Sequence, residues 1–162
     1  MTIDVNKTYV ATIETSAGKI VAELLAKEAP RTVNSFVFLA REGFYNGVIF
    51  HRVIPGFMIQ GGDPTGMGTG GPGYEFENEN RDTQRTYDTG TLGMANAGPD
   101  TNGSQFFIMH ADVPLPPSDY TIFGKVIEGQ EVVDKIATAP RNERNDRPNE
   151  PVTIQSISIE EK

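Results

Sequence analysis

The chain has 162 residues, 37% hydrophobic and 22% charged, the size and composition of one domain with a single core rather than a disordered tail. Its net charge of −8 argues against nucleic acid as a partner, because phosphate binding needs clustered Lys and Arg. The absence of cysteine excludes disulfides, thiolate nucleophiles and Cys-type zinc sites, and no apolar run approaches the ~18–20 residues that span a bilayer.

The opening Met1-Thr2-Ile3-Asp4-Val5-Asn6-Lys7 has no basic patch followed by an apolar stretch, so no signal peptide is read and a cytoplasmic location is expected. Residues 1–7 read as an N-terminal extension, and 8–162 as a single domain with no repeat and no linker. Thr8 to Thr15 and Lys19 to Leu25, either side of Ser16-Ala17-Gly18, form a hairpin in this reading. Pro30 to Glu42 reads as a helix: Pro30 suits the first helical position, Val33, Phe36, Val37 and Ala40 recur at helical spacing, and Gly43 stops it.

Asn46-Gly47 is a tight-turn signal ahead of short apolar runs at Val48–Ile54, Phe57–Gln60, Thr91–Ala95, Gln105–Met109, Thr121–Val126 and Val152–Ile159. Thr65 to Gly73 is dense in glycine and reads as a mobile surface loop. A second helix is expected from Gln130 to Ala137, burying Val132, Val133 and Ile136 and ended by Pro140 at the latest. About eight short strands with two helices suggest a closed barrel or a sandwich rather than a parallel α/β sheet.

Two stretches carry candidate chemistry: Phe50-His51-Arg52-Val53-Ile54-Pro55-Gly56-Phe57-Met58-Ile59-Gln60-Gly61-Gly62-Asp63, and Met94 to Ile108, which contains Ala95-Asn96-Ala97-Gly98-Pro99 and Gly103-Ser104-Gln105-Phe106-Phe107. Strand alternation puts Met58 and Gln60 on one face against Ile59, and Gln105 and Phe107 on one face against Phe106 and Ile108. It also puts Phe50 with Arg52 and His51 with Val53. Faces that mix large apolar groups with amide and guanidinium groups suit either an apolar pocket with a few oriented donors or a plain solvent-facing surface.

Both stretches resemble the two signature segments of the cyclophilins, the peptidyl-prolyl cis/trans isomerases also called rotamases, and the likeness is to bacterial members. It extends from about Tyr9 to Ile159 through Thr15-Ser16-Ala17-Gly18-Lys19-Ile20, Ala29-Pro30-Arg31-Thr32-Val33-Asn34-Ser35-Phe36, Gly43-Phe44-Tyr45 and Phe123-Gly124-Lys125-Val126. The resemblance implies a mainly β fold: an eight-stranded antiparallel closed barrel capped by two α-helices, with a substrate groove on its outer surface. Matching positions carry the family's site onto Arg52, Phe57, Met58, Gln60, Ala95, Asn96, Gln105 and Phe107, and Gly68 falls at the groove-lining glycine.

The implied activity is faster rotation about X-Pro bonds in peptides and folding proteins. No bond breaks, so no cofactor, metal or nucleophile is required. The amide resists rotation by about 18–20 kcal/mol because nitrogen shares its lone pair with the carbonyl. A donor that binds this nitrogen more strongly as it pyramidalises lowers the barrier. Arg52 is assigned that role, with Phe57, Met58 and Phe107 as the apolar pocket for the proline ring. Gln60 and the main chain of Asn96 are expected to hold substrate carbonyls, and Gln105 to buttress Arg52 or Gln60.

Well-studied eukaryotic members carry a tryptophan and a histidine in the loop before the last core strand. Ungapped counting from Ile108 to Phe123 puts Leu115 and Tyr120 at those positions, in a loop stiffened by Pro114, Pro116 and Pro117. Without the indole N–H, cyclosporin binding is expected to be weak. Expected partners are proline-containing peptides and unfolded or folding proteins, with no nucleic acid and no membrane, and a monomer is expected. A binding module that holds proline-containing partners without catalysis is the rival reading.

Other motifs read more plainly. Gly68-Thr69-Gly70-Gly71-Pro72-Gly73 matches G-x-G-x-x-G, but the acidic Tyr74-Glu75-Phe76-Glu77-Asn78-Glu79 that follows offers no phosphate-binding helix. Glu75, Glu77 and Glu79 read as a solvated strand edge rather than a glycosidase pair, and Asn102-Gly103-Ser104 as turn chemistry. His51 is expected to pack beside the pocket and His110 to lie on the surface, too few for a usual zinc site.

Overall fold

The computed structural model describes residues 2–116 and 118–162; Pro117, expected to stiffen its loop, lies outside the described residues. The hairpin forms between β1 (Tyr9–Thr15) and β2 (Gly18–Leu24). Six further strands complete its sheet: β3 (Phe50–Ile54), β4 (Met58–Gly61), β5 (Thr91–Met94), β6 (Phe106–Met109), β7 (Ile122–Glu128) and β10 (Ile154–Glu161). Their order is β10-β1-β2-β7-β5-β6-β4-β3, and every pairing is antiparallel. The expected mainly β architecture, an eight-stranded antiparallel sheet with two helices, is present. Its closure is short: the edges meet at a bridge between Ile49 and Thr153, where Phe50 N–H donates to Val152 O at 3.0 Å and Ile154 N–H to Val48 O at 2.7 Å. A two-residue ladder that the sequence did not suggest, β8 (Arg141–Asn142) with β9 (Arg147–Pro148), leads back to β3, where Val53 N–H donates to Asp146 O.

Helix α1 (Pro30–Arg41) begins at Pro30 as expected, but Ala29 before it has no capping side chain. Glu79, distant in sequence, supplies the cap. Its carboxylate accepts from Thr32 N at 2.7 Å, Thr32 Oγ1 at 2.8 Å and Arg31 N at 3.1 Å, placing negative charge on the free N–H groups where a helix favours it. Glu77 pairs with the Arg31 guanidinium. Glu79 is thus a helix cap rather than part of a solvated edge, while Glu77 stays exposed as expected. At the other end Gly43 takes φ +75°, its N–H bonds Ala40 O and the N–H of Phe44 bonds Leu39 O, a two-bond glycine cap.

Helix α2 (Gln130–Ala137) buries Val133, Ile136 and Ala137. Val132 is only half-buried, packed over Gly18.

The barrel interior is filled by Phe36 of α1, whose ring centroid lies 5.3 Å from Tyr45, 5.4 Å from Phe106 and 5.3 Å from Phe123. One registered row across the sheet, Val53–Ile59–Ile108–Leu92, points inward, and all four residues are fully buried. The neighbouring row, Arg52–Gln60–Phe107–Gly93, therefore points outward. A second apolar cluster gathers there around Met58, Tyr87, Phe107 and Met109.

Candidate active site

The outward row begins with a departure from simple alternation. Phe50 and Arg52 were expected on one face, but Phe50 is buried in the core while Arg52 is exposed. The ladder between β3 and β4 shifts register between these two residues, leaving His51 unpaired and turning Arg52 outward beside Gln60. Among the described residues Arg52 forms no ion pair, so its guanidinium is uncommitted.

Arg52 borders a niche of about 150 Å³ whose apolar walls are Phe57, Met58, Phe107 and Leu115, with Tyr120 at its edge. Phe107 is fixed from three sides. Tyr120 meets it edge-on at 5.5 Å, Tyr87 stands 6.2 Å away, and Gly93 lies directly beneath, where any Cβ would come within 2.2 Å of the ring. Glycine in the middle of β5 therefore makes room for the pocket wall. Tyr87 is held by a hydrogen bond to Tyr120 O, and burial pushes its phenol pKa up, so it stays a neutral donor.

Gln60, Ala95 and Asn96 line both this niche and a larger adjoining cavity of about 710 Å³, which Gly68 and Gln105 also border. All eleven residues singled out in the sequence thus line one of two connected depressions. Gln105 buttresses Gln60: its Oε1 accepts from Gln60 Nε2 at 3.1 Å, and its own Nε2 donates to Gly70 O at 3.1 Å.

The glycine-rich wall, expected to be a mobile loop, is pinned from within. Asp63 is fully buried and accepts from Thr65 N at 2.8 Å, Gly68 N at 2.6 Å and Gly70 N at 3.0 Å, as well as from Thr65 Oγ1. Burial alone would raise its pKa, but the N–H groups of Gly70, Thr65 and Gly68 and the Thr65 hydroxyl outweigh it and hold the carboxyl at about 2. Arg147 adds an outer tie, donating to Gly66 O at 2.6 Å.

His51 packs under Gly68 in this wall, as expected of it; burial lowers its pKa and keeps it neutral at pH 7. His110 differs from its expected surface place: it is largely covered, accepts from Gly56 N at Nδ1 (2.8 Å) and faces Asp134. It clamps the turn leading into Phe57. Asn102 is fully buried and donates to Phe76 O, more than a turn residue.

Sequence reasoning missed Asp63, Tyr87 and Gly93. A glycine inside a strand pattern signals a close approach, and Asp63-Pro64-Thr65-Gly66 is an Asx-type turn, so two of the three had local signals. Tyr87 had none.

An outer-face groove beside an antiparallel barrel, with an uncommitted arginine over a ring-sized apolar niche, defines a site for a small apolar ring attached to polar backbone. A family profile described as cyclophilin type peptidyl-prolyl cis-trans isomerase/CLD matches residues 10–159. A peptidyl-prolyl cis-trans isomerase of Schizosaccharomyces pombe is 49% identical over 145 residues, covering 88% of this chain and 93% of the relative. Peptidyl-prolyl cis-trans isomerase B of Streptomyces anulatus is 46% identical over 167 residues, covering 93% and 95%. The crystal structure of a Cryptosporidium parvum cyclophilin type isomerase superposes with a TM-score of 0.89 at 38% identity over 94% of this chain and 98% of that one. A second crystal structure of that protein, in the presence of the dipeptide Ala-Pro, gives 0.88. The chain belongs to the cyclophilin-type peptidyl-prolyl cis-trans isomerase family, and its activity is isomerisation of the peptide bond before proline.

Proposed function

We propose that the protein turns X-Pro bonds in peptides and folding proteins by seating the proline ring among Phe57, Met58 and Phe107, with Arg52 donating to the prolyl nitrogen as the amide twists. The observation that carries this reading is the uncommitted guanidinium bordering the same 150 Å³ niche as those three side chains. In the planar amide the nitrogen lone pair is delocalised and accepts poorly. In the twisted state it is localised, so the Arg52 hydrogen bond strengthens as the barrier is climbed, which is the condition for catalysis rather than mere binding.

Arginine suits the position because it stays charged and offers donors in a rigid fork. Gln60, fixed by Gln105, and the main chain at Asn96 hold the flanking carbonyls so that one side of the bond is anchored while the other rotates. The niche has no need of a metal or cofactor for this step. The same proposal takes the chain to act as a monomer in the cytosol, which sedimentation and cell fractionation test.

Magnetisation exchange between the cis and trans signals of a proline tetrapeptide tests the reading. Catalytic amounts of protein are expected to speed exchange above the uncatalysed rate, with shifts at Phe57, Phe107 and Gln60. Binding at those residues with no gain in exchange would make the protein a holding module instead.

A further inference from the structure

Four large apolar side chains are exposed among the described residues: Phe38, Met67, Tyr74 and Ile127. Two of them, Phe38 (44% exposed) and Tyr74 (41%), line one groove of about 380 Å³ together with Phe76, between α1 and the chain at 74–76. Its polar residues are already engaged. Arg31 pairs with Glu77, Asn34 Oδ1 accepts from Thr2 N at 2.8 Å, and Ser35 Oγ shares a 2.6 Å hydrogen bond with Tyr74 OH. The larger part of the lining is ring surface. The groove is therefore suited to an apolar or aromatic side chain and not to an anion.

Tyr74 is the wall between this groove and the 710 Å³ cavity, and that cavity shares Gln60, Ala95 and Asn96 with the proline niche. The three depressions thus adjoin one another in turn, and the Ser35 hydrogen bond holds the Tyr74 ring as a fixed ridge between the last two. From this adjacency we infer that the Phe38–Tyr74–Phe76 groove is a distal docking subsite for the same client chain, taking an apolar or aromatic residue several positions from the proline. The inference rests on the proposed function, because it uses the niche as the chain's anchor. A peptide of about twelve residues, up to ~40 Å when extended, exceeds the ~30 Å width of a small domain and so has the reach. A tetrapeptide, about 14 Å when extended, is about half that width.

The test compares a proline tetrapeptide with two peptides of about twelve residues that share its core, extended with Phe and Leu either before or after the proline. Titration of backbone amide signals gives Kd, and magnetisation exchange gives turnover, for wild type, Phe38→Ala and Phe38→Leu, each checked by thermal melting. At least one extended peptide is expected to bind the wild type more tightly than the tetrapeptide and to shift the Phe38 and Phe76 amides. Phe38→Ala is expected to weaken that peptide about three- to tenfold, Phe38→Leu less, with tetrapeptide turnover unchanged.

Equal binding of the extended peptides by wild type and Phe38→Ala overturns the subsite. So does self-association that Phe38→Ala abolishes without any peptide-length effect, since the groove then covers a second copy. Failure of the tetrapeptide exchange alone, with Phe38-dependent binding intact, would count against the catalytic reading and not against the groove.

Discussion

The carbonyl of Gly70 accepts a hydrogen bond from Gln105 Nε2 at 3.1 Å, while the N–H of the same glycine donates to the buried carboxylate of Asp63 at 3.0 Å. One residue thereby joins the loop's buried anchor to the side chain that orients Gln60. A Cβ at Gly70 would stand 2.2 Å from Asp63 Oδ1, so only glycine allows both bonds at once. The Gln60 amide is thus held, at two removes, by a charge the substrate never meets.

Releasing that anchor is expected to loosen the wall and misplace Gln60. Asp63→Ala and Gly70→Ala, which break the same contact from opposite sides, should each lower kcat/KM about 10- to 100-fold through positioning. Hydrogen exchange at the Gly68 amide should rise in both, while Phe36 and Phe106 in the core stay protected. Unchanged exchange at Gly68 would remove Asp63 from the account.

The anchor has a pH signature. A carboxyl depressed in the folded state contributes stability above its unfolded pKa, and this is lost as pH falls through the folded value. For Asp63 the window runs from its ordinary 3.8 down to about 2. The ¹³C shift of its carboxyl, followed from pH 6 downward, is expected to stay in the ionised range at pH 3.5, with the Gly68 and Gly70 amide shifts moving only below that. A midpoint near 4 would show the loop N–H groups to be disengaged in solution.

Gly93→Ala places a methyl where the Phe107 ring lies, and overpacking of this kind costs about 1–3 kcal/mol. Because Phe107 has core strands behind it and an open niche in front, it is expected to move into the niche. Activity should fall far more than the melting temperature. Wild-type turnover with an unshifted Phe107 ring signal would contradict that.

Much of this is legible in the sequence. The eight sheet strands and both helices follow from apolar periodicity bounded by glycine and proline, and the outward positions of Gln60 and Phe107 follow from strand parity. Parity failed at Phe50–Arg52 because a register shift inserts His51, which a period-two argument cannot foresee. Glu79 capping α1 was invisible for another reason. It acts through backbone N–H groups that carry no side-chain signature, across nearly fifty residues, whereas Asp63 left only the local turn signal of Asp63-Pro64-Thr65-Gly66.

Cyclosporin discriminates the outer rim. Leu115 borders the niche, and ungapped counting puts it where well-studied eukaryotic cyclophilins carry tryptophan, a position that here offers no indole N–H. Inhibition in a direct exchange assay is expected to be weak, and Leu115→Trp is expected to strengthen it. Nanomolar inhibition of the wild type would show that the remaining pocket suffices.

The most direct test of the mechanism is the isomerisation rate of Arg52→Ala against wild type, with peptide Kd and thermal melting measured on the same samples. Removing one preorganised donor is expected to cost about 10²–10³ in kcat/KM. Kd should change little and the melt hardly at all, because Arg52 is exposed and unpaired among the described residues. A variant that turns over its peptide at the wild-type rate would show that the guanidinium plays no part in untwisting the bond.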